Sequence, residues 1–327
     1  MASVTTVDVT GFTGSDVFPV NENDFLSLVE KIAVQNIRGV KSSNRIVNGF
    51  YEYDIENGVV IEEAIIKMAQ SQSFVQTGAP NLSPKDPVLD VKYFNNFEAK
   101  QYQATLRRSE IRKIIANKGT SVEEVVAEIL ATLTEGEGFD DYKAMRGALK
   151  DSNLGFDVSA TGGMFAGKEP ASIKGVIYCM REMYNALKAT NKIGLDSTNG
   201  FEQATPVEDI RIAVSESLLN LMDVVELANI FNLSKEELFG KLVIIPYEDS
   251  TNWPIGRVVV YDRKALGRAT RMFEYSQDVV GKGLYVNEYL TVERAYFYNP
   301  LFKCLTLDAS TACATAVATL LSTKSQA

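Results

Sequence analysis

Residues 162–169, GGMFAGKE, come closest to a catalytic motif in this chain. Gly162, Gly167 and Lys168 meet the spacing of a phosphate loop, in which backbone N–H groups and a lysine hold the β- and γ-phosphates of a nucleotide. That chemistry also needs a Ser or Thr after the lysine to hold magnesium. Glu169 stands there instead, and Pro170 opposes a helix through that point. No strongly apolar strand leads into the glycines, so a glycine-rich loop without a nucleotide is expected.

Other chemistry is excluded by what the chain lacks. It contains no histidine, which removes Ser-His-Asp and Cys-His catalysis and every His-containing zinc site. Cys179, Cys304 and Cys313 show no metal spacing, and an odd number argues against a disulfide framework. Small apolar core residues in a reducing compartment are expected there. The run EGEGFDD gathers Glu135, Glu137, Asp140 and Asp141, whose oxygens would suit a hard cation. It lacks the ordered spacing of a calcium loop, so a solvated helix junction is expected. Paired carboxylates elsewhere (IEEA, VEEVV, KEEL) sit where a helix face or strand edge explains them. No catalytic residue, cofactor or metal ion is expected.

Two basic groups remain. Arg107, Arg108, Arg112 and Lys113 form one; Arg257, Arg263, Lys264, Arg268 and Arg271 form the other. Either could touch phosphate or pair with acidic groups on a neighbouring chain, and pairing is the favoured reading. Aromatic residues do not interleave with them as in single-strand binders. A net charge of −9 argues against a dedicated nucleic-acid binder, whereas a protein that merely encloses nucleic acid has no need of positive charge.

The elements that position these residues are α and β in no regular alternation. At 327 residues, two domains or one with large excursions are expected. No apolar run approaches the eighteen or so residues needed to cross a bilayer, and the start MASVTTVDVTGF does not read as a secretory signal. Residues 1–22 read as an extended arm, followed by a short helix in DFLSLVEKIAVQNI that Asn23 can cap. Residues 49–116 are strand-prone and polar, with three prolines in TGAPNLSPKDP. They predict a two-stranded excursion too weak to stand alone and resting on a partner subunit.

The strongest helix lies in TSVEEVVAEILATLTEGEG, with Val122, Val125, Val126, Ile129, Leu130 and Leu133 on one stripe. Gly136 and Gly138 are expected to end or bend it. SIKGVIYCMREMYNALKATNK predicts a second helix with Ile173, Val176, Ile177, Met180, Tyr184 and Leu187 inward. EDIRIAVS, KLVIIP and GRVVVYD read as strands, the last leading into mixed structure. Residues 283–307 read as one long aromatic strand. Leu284, Val286, Leu290 and Val292 would pack on the strong helix. Tyr285, Tyr289 and Phe297 would face a contact with little water.

Three segments carry a family resemblance: residues 100–149, from KQYQATLRRSEIRKII to YKAMRGAL; residues 205–246, from TPVEDIRIAVS to KLVIIP; and VYDRKAL followed by GLYVNEYLTVERAYFYNPLFKCLTL. Together they resemble the major capsid protein of tailed bacteriophages, podovirus type, a fold shared with encapsulin nanocompartments. Val286 stands where that family commonly has tryptophan, and Asn299-Pro300 lies near its usual Ser-Pro.

The resemblance implies an α+β phage-capsid fold. Residues 1–48 would be the N-terminal arm, 49–106 the extended loop, 107–170 a peripheral domain with a spine helix, 171–282 an α+β axial domain, 283–307 the closing strand and 308–327 a tail. It implies rings of five and six copies in an icosahedral head assembled in the host cytoplasm. Portal and scaffolding proteins would be partners, and double-stranded DNA would be enclosed without sequence-specific binding. Arg107, Arg108, Arg112, Lys113, Tyr285, Tyr289 and Phe297 become candidate inter-subunit contacts. Some members seal their shells with lysine–asparagine bonds, but none of Lys67, Lys85 and Lys92 matches that motif. The alternatives are an encapsulin-like shell around an enzyme, and an unrelated cytosolic enzyme with a deep polar pocket.

Overall fold

The computed structural model describes residues 46–55, 60–66, 89–107, 109, 122–151, 154–159, 164–165, 170–189, 204–222, 235–246, 253–254, 256–280, 285–310 and 312–313. They fall into two compact units. One includes 99–140 and 272–292, and the other spans 44–98, 141–271 and 293–327. Among the described residues no helix is long and apolar enough to cross a membrane.

The larger unit is built on a five-stranded sheet, ordered β5 (Phe156–Asp157), β11 (Cys304–Asp308), β8 (Arg257–Asp262), β6 (Ile210–Ser215) and β7 (Leu242–Ile245). β8 runs antiparallel to both β11 and β6, while β7 is parallel to β6. The central strands read as unbroken apolar runs because both faces are covered, and the two-residue period deals their side chains to two different cores. Ile210, Ile212, Val214, Val258, Val260, Leu305 and Leu307 enter one core. Ala213, Val243, Ile245, Val259, Tyr261 and Cys304 enter the other.

The first core is closed by helix α2 (Ile173–Lys188), which buries Val176, Ile177, Met180, Met183, Tyr184 and Leu187 on the expected stripe. Ser172 caps it, its Oγ accepting from the Gly175 N–H at 3.2 Å. The second core is closed by Met145 and Leu149, from the end of helix α1 (Val122–Lys150). Two short helices, α3 (Glu216–Leu221) and α4 (Lys235–Lys241), complete the unit. The three cysteines are free and buried. Gly155 turns the chain into β5 at φ 67°, where a Cβ would lie 2.5 Å from the Cys304 carbonyl oxygen.

Several expectations change. α1 is one helix of 29 residues, and neither Gly136 nor Gly138 interrupts it. Two glycines cost about 2 kcal/mol of helix propensity, less than the burial around them restores. The Tyr102 ring packs against the helix at Gly136, 3.5 Å from where a Cβ would stand, an ordinary van der Waals distance. The Tyr102 hydroxyl then reaches Asp140, one turn on, at 3.1 Å.

The 49–106 excursion is not a single two-stranded loop. β1 (Tyr51–Asp54) pairs in parallel with β9 (Leu266–Val280), and β4 (Glu98–Arg107) lies beside β10 (Tyr285–Tyr298), in the order β1-β9-β10-β4. Only β2 (Ile61–Ile66) and β3 (Leu89–Phe94) form a ribbon of their own. The mixed structure expected after GRVVVYD is the 15-residue strand β9. The closing strand is two strands in two sheets, β10 and β11, broken where the Asn299 side chain accepts from the Leu301 N–H at 3.1 Å. The predicted helix around residues 23–36 lies outside the described residues.

Candidate functional site

Among the described residues no group of three or more acidic or cysteine side chains is placed to hold a metal ion. The chemistry lies in surfaces and ion pairs. The β2–β3 ribbon is the clearest surface. Its register pairs Ile61 with Phe94, Glu63 with Lys92 and Ile65 with Asp90, which share one face; Glu62 with Tyr93, Ala64 with Val91 and Ile66 with Leu89 share the other.

The inner face docks on its own chain. Ile61 is buried with Ala269, Ala295 and Phe297, and Ile65 with Leu301. Phe94 stacks on Phe297 with centroids 4.1 Å apart, and the Arg271 guanidinium lies 4.5 Å over Phe97. The Tyr53 hydroxyl donates to Glu63 at 2.7 Å, and burial together with that carboxylate pushes the phenol's pKa well above its ordinary value. The root of the ribbon therefore rests on the same chain. The outer face is different: Ile66 is 60 % exposed, Leu89 55 % and Tyr93 66 %, and Ala64 is exposed between them. Three large apolar side chains in solvent on one ribbon face form an uncovered patch.

Phe297 is corrected by this geometry. It is a core residue of its own chain, not a side chain held out for a neighbour. β10 buries Val286, Glu288, Leu290 and Val292, passes through half-buried Glu293 and Arg294, and then buries Ala295 and Phe297, with Asn299 buried just beyond its end. The covered face thus changes parity midway, because the ribbon root covers the second half. On the opposite side of that half, Tyr296 and Tyr298 pack against the Met145 and Leu149 core. Tyr285 and Tyr289 are half-buried. Arg107 is exposed at the end of β4, while Arg108, Arg112 and Lys113 lie outside the described residues.

The second basic group turns inward to its own chain. Arg257 donates to the carbonyls of Leu149 at 3.3 Å and Asp151 at 2.8 Å, and Arg263 donates to that of Phe50 at 2.9 Å. Arg271 pairs with Glu293. Arg268 is buried against Asp141 and also reaches Glu52 at 2.5 Å. Arg294 approaches Asp141 at 3.3 Å, and the Tyr296 hydroxyl donates to the same carboxylate. Burial opposes the Arg268 charge, but Asp141 and Glu52 outweigh it and hold the guanidinium pKa above its ordinary value.

The solvated junction expected at EGEGFDD is therefore wrong for Asp141, whose side chain is 1 % exposed, and for buried Glu137. A signal was present. Val126, Leu130, Leu133, Glu137, Asp141, Met145 and Leu149 continue one buried stripe, and two acids on that stripe call for partners. Such an arrangement fastens elements together. It offers no acid and base in contrasting environments around a cleft.

A model of the Phi29-like phage major capsid protein family matches residues 3–306. The chain belongs to that family. This capsid protein is a structural subunit of the head shell of a tailed phage, and its place is the virion. Among curated proteins none matches it. Its fold is similar to the capsid structure of Staphylococcus phage Andhra, with a TM-score of 0.64 at 14% identity over 83% of this chain and 86% of that one. A chain in the head-fibre and inner-core-protein structure of bacteriophage P68 gives a TM-score of 0.53, also at 14% identity over 83% and 86%. Of the readings open from the sequence, the phage shell is the one this capsid family carries, and its role is structural.

Proposed function

We propose that the subunit closes an icosahedral shell of five- and six-membered rings by laying the outer face of its β2–β3 ribbon on a neighbouring copy. The observation that carries this is the contrast between the ribbon's two faces. Ile61 and Ile65 are satisfied inside the chain, whereas Ile66, Leu89 and Tyr93 hold apolar surface in water. Repeating such a patch in every copy lets modest contacts sum to a durable closed particle. The shell encloses double-stranded DNA, assembles in the host cytoplasm with portal and scaffolding proteins, and performs no catalysis of its own.

The test is the pair Ile66→Asp and Leu89→Asp, with Tyr93→Lys as a milder variant. Unfolding of the isolated subunit should stay within about 0.5 kcal/mol of the parent, as for exposed positions. Electron microscopy should show closed shells from the parent and open rings or free subunits from the variants. Normal shells from all three variants would overturn the proposal.

A further inference from the structure

The outward face of α2 belongs to neither the core nor the ribbon. Its buried stripe is spent on the five-stranded sheet. The residues turned away from that sheet are Lys174, Tyr178, Arg181, Asn185 and Lys188, every one exposed. At 3.6 residues per turn these five fall within an arc of about 80°. Three of them are cations and none is an acid. Glu182 lies at the flank, half-buried and on the side of Cys179, whose thiol pKa it helps burial to raise. Lys188 is steadied by the Tyr184 ring, 5.4 Å from its ammonium.

On a chain of net charge −9, a helix face with only positive charge does not follow from composition. The cations recur every seven residues, about 10.5 Å apart, so the row spans about 21 Å. Protein interfaces are built around an apolar, aromatic centre and are depleted in lysine. Here a single tyrosine, 59 % exposed, stands among lysine, arginine and asparagine. Long flexible cations with polar neighbours suit a hydrated polyanion, held without sequence reading.

We infer that the Lys174–Arg181–Lys188 face of α2 is a contact for the phosphates of the enclosed DNA duplex. The inference rests on the proposal that the shell encloses double-stranded DNA, and it adds where the wall touches it. Three cations amid a net negative chain make a local, salt-sensitive contact that steadies the duplex without gripping it.

The test uses the full-length subunit and a short mixed-sequence DNA duplex, with affinity followed against salt. The variant K174Q/R181Q/K188Q should lower the slope of log affinity against log salt by roughly 2.7, at about 0.9 for each phosphate that the side chains no longer neutralise. K174R/R181K/K188R, which keeps the charges, should retain the parent slope. An unchanged slope in the glutamine variant would overturn the inference. So would an unchanged slope together with failure of that variant to close shells, which would assign the face to a protein partner. Failure of the underlying reading is seen separately, as parent subunits that form no closed shell at all.

Discussion

Arg268 grips Asp141 through two N–H···O bonds of 3.1 Å each, across 127 positions of sequence. The bidentate geometry ties β9 to α1, and Arg294 and Tyr296 bring β10 to the same carboxylate. Removing one partner leaves the other charge buried without its bidentate partner, with only Glu52 left to Arg268, or Arg294 and Tyr296 left to Asp141. Asp141→Leu or Arg268→Met alone should each cost about 3–5 kcal/mol in urea unfolding. The double variant should cost clearly less than the two losses added together, and additive losses would show that the pair is not coupled.

Gly267 and Phe297 form a second fixed relationship. A Cβ at position 267 would lie 2.2 Å from the Phe297 ring, which is itself stacked on Phe94. Gly267→Ala should destabilise the subunit by about 1–3 kcal/mol through overpacking. Adding Phe297→Leu should restore part of that loss in the same unfolding assay.

Glu288 is fully buried, and the Tyr275 hydroxyl donates to one of its oxygens while the other has no hydrogen-bond partner among the described residues. Burial raises its pKa above the ordinary value, and the Tyr275 bond offsets this only in part. A carboxyl raised in the folded state favours its neutral form. Its contribution to stability is full below the unfolded pKa and is lost as pH rises through the folded one. Glu288→Gln should therefore gain on the parent as pH rises from acid to neutral. A constant difference between the two unfolding curves would refute this.

Lys303 runs the other way. Its Nζ donates to the Ala189 carbonyl at 2.6 Å, and burial lowers its pKa from 10.5 to about 8, with Asp262 opposing the shift. Between those values the unfolded chain holds a proton that the folded chain has released, so this group adds stability as pH rises through that window. The parent should gain on Lys303→Met between pH 8 and 10.5, measured as the difference in unfolding free energy. A difference that shrinks or stays flat would count against it.

Much of this molecule was legible before any fold was seen. The stripe of α2, the strands β6, β7 and β8 and the strong helix α1 all follow from which residues repeat at 3.6 or 2 positions. The family resemblance was legible too, in runs of residues that do not depend on distant contacts. The exposed ribbon face was half legible: the excursion was visible as polar strands, but its outer strands join the chain's own sheet.

Amino-acid order alone set the local faces, meaning which side of each helix or strand is apolar. Periodicity is a property of neighbouring residues, so it needs no knowledge of the rest of the chain. What covers each face was settled by the folded chain. Phe297 reads as an outward aromatic until the ribbon root closes over it, and Asp141 reads as a solvated acid until Arg268 arrives from 127 residues away. α1 runs on through Gly136, where the Tyr102 ring of β4 packs against the helix. Burial converts a local pattern into a partner only when loop closure has brought that partner near, and no stretch of sequence carries that information alone.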